Sequence, residues 1–569
     1  MKPDLQVRPT DLVWIGLAFL ALIFAGFGLR DPWPADEPRF AGVAFDMVRS
    51  GYWLIPHAGG DLYQDKPPLH FWMIAASYVL TGSTRAAFLL PSMLASLGTL
   101  LLVYDLGRRL HGREAGLVAA LTLACCVQFV KVTRGAQIDA TLIFFITLSV
   151  WALARHLLLG PHLGLALLGG VAAGLGVIDK AVGFLALLLL PIAWLLRRRD
   201  AAAVAAGALR PAAMLTVLAG FFVVIAAWLL PMLWHVQQVG TPELAAYRDE
   251  LLFQQTVKRY TDAWHHIRPP YYYLVEVIPA LWLPLSALLF WLWRTWREDW
   301  RAHRAATLLP LGFAVAVVLF FSLSTGKRGV YVLPALPALA LAAAPHLAAL
   351  YRRIGVGRLS LGLGAVLLIP AWAIVVGSVL GLPKASALLD DTPLDSLVPL
   401  WAFAIVGLAA WLLAARLRPV FAWPAVLGCL TLAWGFGVAP QLNAERSASG
   451  FVAQLLERAP RDRELGLLAY KEQFLLYLDR EVVNFGHARW REGSAEAHDA
   501  SAWIAQDPRR VLLVPGSRLA PCFEAMDRRP AGESSREVWW LVEGVPDAAC
   551  VRQGNPGRAI RYQGPRAPR

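Results

Sequence analysis

The residues best suited to chemistry gather in the first long polar stretch of the chain. It carries Asp31, then Asp36-Glu37-Pro38-Arg39-Phe40, Ser50-Gly51-Tyr52-Trp53, His57, and Tyr63-Gln64-Asp65-Lys66-Pro67-Pro68. Adjacent acids, a basic residue, aromatics and turn formers beside apolar sequence suit the handling of a polar group at a membrane edge. The same residues also suit a solvated loop whose acids cap the next helix. Three other positions repeat the theme: Lys131, Arg134 and Asp139 between two apolar runs, Asp179-Lys180 in a tight connection, and Gly326-Lys327-Arg328-Gly329 before Tyr331. An ionisable side chain costs about 2.5 to 3.5 kcal/mol at the middle of a membrane helix. These charges lie at run ends, where any single Lys or Arg can serve as a headgroup anchor. Several cations beside two or three carboxylates fit an anionic, phosphorylated lipid substrate better.

The elements that must position these residues are membrane helices. Of 569 residues 57% are hydrophobic and 16% charged, with mean hydropathy +0.51. That excludes a disordered chain, a collagen and a small disulfide scaffold. The net charge of +13 reflects topology and anionic lipid better than nucleic acid, which is not expected as a partner. Only eight residues are lysine, so each marks a position worth locating. Thirteen apolar runs reach spanning length, near 12–30, 87–107, 115–131, 138–158, 163–178, 181–196, 212–234, 272–293, 306–323, 329–350, 358–380, 398–415 and 420–438. The run 68–82, entered through Pro67-Pro68, is short enough to lie in the interface. If it does not cross, the Arg-rich loops all fall on one side, the cytoplasm, together with Lys2 and Arg8. The 31–86 loop, the 235–271 loop and everything after about 440 then face outside. The long first apolar run argues against a cleaved signal peptide.

Past residue 440 the apolar runs shorten to strand length, at Leu465–Tyr470, Val511–Val514 and Val538–Val542, between helix-like stretches 451–458 and 501–506. This predicts a small water-exposed α/β domain over 441–569, with a disordered tail from Arg561. Cys522 and Cys550 are its only cysteines and can pair in an oxidising compartment.

The first-loop motifs, Asp179-Lys180 and Ser-x-Gly-Lys327-x-x-x-Tyr331-x-Leu-Pro334 resemble the bacterial lipid A aminoarabinose transferases, polyprenyl-phosphate-sugar glycosyltransferases of the GT-C fold. The likeness runs along the chain in order. Three motifs depart from the family's form: Asp-Glu-Pro-Arg-Phe replaces Asp-Glu-Thr-Arg-Tyr, Asp65-Lys66 replaces Glu-Lys, and Lys180-Ala181 replaces Lys-Gly. The resemblance implies a polytopic α-helical inner-membrane enzyme of about thirteen spans over 1–440, its catalytic loop 31–86 and accessory loop 235–271 periplasmic, followed by the α/β domain. It implies a polyprenyl phosphate sugar as donor, a lipid or glycan such as lipid A as acceptor, and the bilayer as partner.

A departing lipid phosphate needs neighbouring cations more than a general acid. Lys66, Arg134, Lys180, Lys327 and Arg328 are the candidates, with Arg39, Tyr63, Lys131 and Tyr331 lining the substrate. Asp36, carried over from the family's first-loop aspartate, orients the acceptor or takes its proton. Glu37 and Asp139 support it, by binding sugar groups or by fixing Arg39 and Lys131. In the 235–271 loop, Arg259 and Tyr260 are candidate acceptor contacts. No cofactor is required, although the resemblance permits a divalent cation between Asp65 and His265. A protein O-mannosyltransferase shares this plan and differs in its acceptor. A transporter would place ionisable groups in mid-span, where these runs hold almost none.

Overall fold

The computed structural model describes residues 6–252, 267–390, 394–486, 492 and 494–564. The chain folds into two compact units that interleave in sequence. One comprises Met1–Leu29, Asp65–His70 and Leu89–Pro440, the other Arg30–Gln64, Phe71–Phe88 and Gln441–Arg569. This differs from the linear division at residue 440: most of the first polar loop belongs with the carboxy-terminal segment.

The first unit is helical. Among the described residues, eight helices are long and apolar enough to cross a membrane, or up to ten if each of two bent pairs is one span. The bent pairs are Arg113–Ala124 with Val127–Thr133, at 66°, and Tyr273–Leu281 with Leu285–Arg301, at 107°. Pro9–Phe24, Leu163–Asp179 and Ala335–Tyr351 are apolar but shorter. Composition explains both the spans and their packing. Helix Pro211–Val239 packs against Leu163–Asp179 so closely that a Cβ at Gly170 would lie 2.0 Å from the carbonyl oxygen of Val217. Small residues permit such backbone approach where lipid supplies no hydrophobic drive between helices.

Backbone groups freed at the bends are recaptured, as an apolar surround demands. The Val127 N–H donates to the Leu283 carbonyl (3.1 Å), and the Trp423 indole donates to the Cys125 carbonyl (3.0 Å). Gln128 accepts from the Trp282 indole (2.6 Å) and donates to the Gly329 carbonyl (2.7 Å). At the Arg-rich ends of the helices the acids are pinned as well. Asp11 accepts two hydrogen bonds from Arg113 and one from Tyr104, and Asp105 pairs with Arg108 and Arg109. Buried Asp299 is held by Arg304 and His346.

The second unit is built on a six-stranded mixed sheet in the order β6-β7-β5-β3-β4-β8, with β3 Glu464–Leu467, β4 Glu481–Asn484, β5 Arg510–Pro515, β6 Asp527–Ser534, β7 Glu537–Glu543 and β8 Ile560–Gln563. The central strands are parallel and buried, as their continuous apolar sequence requires. Strand β8 pairs antiparallel with β4, so the expected disordered tail begins too early at Arg561. Cys522 and Cys550 are bonded, Cα to Cα 5.7 Å, beside Phe523 and Trp503 in the core. First-loop residues complete this unit as helix Glu37–Ser50 and a two-stranded hairpin, β1 His57–Ala58 and β2 Asp61–Leu62, followed by most of helix Leu69–Thr81.

Candidate active site

In the helical unit the charges singled out in the sequence stand at helix ends and breaks. Lys180 follows helix Leu163–Asp179 in an extended conformation, which turns its side chain out of the helical path. Its Nζ lies 2.6 Å from Asp139 and 5.2 Å from the centre of the Tyr331 ring. Asp139 opens helix Ile138–Leu158 and is buried. Of the two roles the sequence suggests for it, binding sugar groups or fixing Lys131, the second is not what the structure shows: Lys131 is exposed, and the carboxylate reaches across to Lys180. Behind this pair, Thr141 donates to fully buried Asp179 (2.9 and 3.0 Å) and lies 3.1 Å from His70 Nδ1. Neither Thr141 nor His70 was singled out beforehand, because a lone hydroxyl and a lone histidine in apolar sequence carry no pattern.

The other cations are held differently. Arg134 spreads its guanidinium over the carbonyls of Leu22 (3.0 Å), Ala25 (2.9 Å) and Thr431 (3.4 Å), closing the open end of the first helix. A side chain so engaged acts as scaffold. Lys327 is buried, donates to the carbonyls of Arg268 (3.0 Å) and Ser324, and has its pKa lowered by that burial. Arg328 is exposed, and Tyr331 packs on Phe321 at 5.4 Å. Lys66 is half-buried, with its ammonium 2.9 Å from the Asp65 carbonyl. Arg259, Tyr260 and His265 lie outside the described residues.

In the second unit Asp36 stands at the amino-terminal boundary of helix Glu37–Ser50, half-buried, and its side chain makes no capping hydrogen bond. Glu37 is buried and accepts from both Arg30 guanidinium nitrogens (2.5 and 2.7 Å) and from the Trp33 N–H (2.9 Å). It therefore fixes Arg30. Arg39 pairs with Glu472 at 2.8 Å. Tyr63 is a core residue, its ring edge-on to Phe71 at 5.6 Å. Asp31, buried, ties Arg85 (2.7 Å) to Asn443 (2.7 Å). The signal that could have found Arg30 is its charge, standing directly before Asp31 and within a few residues of Asp36 and Glu37.

Among the described residues, the one His/Cys/Asp/Glu group close enough to hold a metal is His498 with Cys522 and Cys550. Its sulfurs are bonded to each other, so no thiolates face the imidazole.

Residues 65–234 match the dolichyl-phosphate-mannose-protein mannosyltransferase family. The chain is 31% identical over 442 residues to the undecaprenyl phosphate-alpha-4-amino-4-deoxy-L-arabinose arabinosyl transferase of Pseudomonas aeruginosa (strain UCBPP-PA14), covering 73% of this chain and 72% of that one. It is 30% identical over 329 residues to the second such transferase of Sodalis glossinidius, covering 56% of each. Among solved structures it resembles ArnT from Cupriavidus metallidurans, bound to undecaprenyl phosphate, with TM-score 0.71 and 19% identity over 93% of this chain and 97% of that one. The apo form of that protein gives TM-score 0.70 at 18% identity, over 96% and 98%. The fold is that of the GT-C membrane glycosyltransferases.

Proposed function

The chain belongs to the family of undecaprenyl phosphate-aminoarabinose arabinosyl transferases, and we propose that it moves 4-amino-4-deoxy-L-arabinose from an undecaprenyl phosphate carrier to a phosphate of lipid A. It works in the inner membrane, its apolar helices making thirteen crossings and its site opening on the periplasmic face. The observation that carries the mechanism is the Lys180–Asp139 pair against Tyr331. An ammonium has three donors, so a lysine paired with one carboxylate can also meet a phosphate without leaving it, whereas a guanidinium already spread over backbone carbonyls cannot turn to one without exposing them.

In the reaction the bond between the anomeric carbon and the carrier phosphate breaks as an acceptor oxygen bonds to that carbon from the opposite face. The electron pair of the broken bond stays with the undecaprenyl phosphate. Lys180, with Lys66, stabilises the charge that grows there; Lys327, buried and donating to two backbone carbonyls, is engaged as Arg134 is. A phosphate acceptor is already ionised at neutral pH, so Asp36 orients it more than it deprotonates it. Nothing in this scheme requires a resident metal; loss of activity on chelation, restored by a divalent ion, would put one beside Asp65.

A protein acceptor is not favoured, since the aminoarabinose relatives match over 442 residues and the mannosyltransferase family over 65–234. Mass spectrometry of lipid A from a deletion strain tests the reading. Aminoarabinose should disappear from lipid A and return with the intact gene. Unchanged lipid A alongside loss of sugar from secreted proteins would refute it.

A further inference from the structure

Helix Glu37–Ser50 has the proposed catalytic acid at one end and a polar clamp at the other. About three turns beyond Asp36, buried Asp46 uses both carboxylate oxygens: Oδ1 accepts from the Tyr562 phenol (2.8 Å) and Oδ2 from the Gly59 N–H (2.9 Å). One turn later Arg49 donates to the carbonyls of Gln563 (2.7 Å) and Gly564 (2.5 Å). Asn484 on β4 donates to the Gly59 carbonyl (2.9 Å), so the hairpin turn is gripped from the sheet as well. That turn needs glycine twice. Gly59 and Gly60 have φ of +63° and +87°, and a Cβ on Gly60 would lie 2.9 Å from the Ile560 side chain of β8.

A buried carboxyl with a phenol and an amide as its hydrogen-bonding partners is a costly way to attach a helix. Burial accordingly lifts Asp46 to about 7. Apolar contacts such as Phe40 on Phe71 also bury the helix but by themselves would let it slide or rotate. Two directed hydrogen bonds from two different elements fix both its rotation and its position along its axis.

We propose that β8 is a strut holding helix Glu37–Ser50, and with it the Asp36 carboxylate, in register with the six-stranded sheet, and that Asp46 and Tyr562 are positioning residues for sugar transfer. The proposal rests on the reading of Asp36 as the acceptor-orienting acid. A helix transmits displacement along its length, and misplacing a catalytic group by about 1 Å can cost about a hundredfold in rate.

The test uses the full chain in membranes, with rates normalised to folded protein. Tyr562→Phe should lower kcat about tenfold with KM for donor and acceptor within about twofold. Asp46→Asn should act alike, Asp46→Leu more strongly, and the Tyr562→Phe/Asp46→Asn double variant no more than the worse single, because the two groups act as one. Wild-type kcat in Tyr562→Phe and Asp46→Leu, or a loss matched by the loss of folded protein, would overturn the strut. Asp36→Asn separates the two claims. If it is active, the reading beneath the strut fails; if it is inactive while Tyr562→Phe and Asp46→Asn are normal, the strut alone fails.

Discussion

The helical unit and the sheet unit both bury charge, but they hold it in different ways. Around Lys180 the partners are an ion pair with Asp139 and the face of the Tyr331 ring. In the sheet unit the first-loop charges are locked by directed bonds to distant segments: Asp31 to Asn443, Asp46 to Tyr562, and Arg39 to Glu472. On the proposed function, the first kind of charge would meet the departing phosphate, and the second would fix the helix that carries Asp36. Arg134 shows that the division is not simply one of location, since it sits in the helical unit and is bound as scaffold.

Four substitutions probe this contrast. Asp36→Asn should remove the aiming charge and lower kcat about 10²- to 10⁴-fold while insertion is unchanged; near-normal transfer in membranes would dissolve the contrast at its strongest point. Lys180→Ala should cost about 10²- to 10³-fold in kcat/KM. Asp139→Asn should cost less, because it frees the lysine instead of removing it. Equal losses from both, measured by steady-state kinetics, would mean that the carboxylate has a role of its own. Arg134→Gln should leave donor KM unaltered and destabilise the protein by about 2 to 3 kcal/mol, through carbonyls left without donors. A raised KM without a change in thermal stability would move Arg134 back among the substrate contacts.

The smallest effect is the pH dependence set by Asp46. Between the ordinary carboxyl value of 3.8 and about 7, the folded chain keeps a proton that the unfolded chain has lost. The stability of wild type relative to Asp46→Asn should therefore fall as pH rises from 5 to 7, by at most about 1.4 kcal/mol per unit, and level off above that. A pH-independent difference in melting temperature would show that the carboxyl is not confined as described.

Much of the helical unit was legible in the sequence because a spanning run is a local signal. The run 138–158 is helix Ile138–Leu158, and 398–415 lies within Val398–Leu417. The bends were hidden, since an apolar run reads alike whether straight or broken. Charges near run ends marked Lys180 and Asp139, but not their pairing, which links residues 41 apart. Strand β6, DRRPAGES, pairs among the described residues with β7 alone and is mostly exposed, so it has no apolar pattern to read. Strand β8 has two apolar residues in four, and it is a strand because β4 pairs with it. The membership of the first polar loop in the sheet unit was hidden for the same reason: its hydrogen bonds span more than 400 residues.

Gln128 sets a problem of timing for synthesis. Its partners at Trp282 and Gly329 lie 154 and 201 residues downstream. When the segment 113–133 leaves the ribosome, the groups that will satisfy the break do not yet exist. An amide without partners is expensive in hydrocarbon, so the Gln128 contacts can form only once the later helices are in place. Its seat in the membrane is therefore completed late, although its sequence is made early.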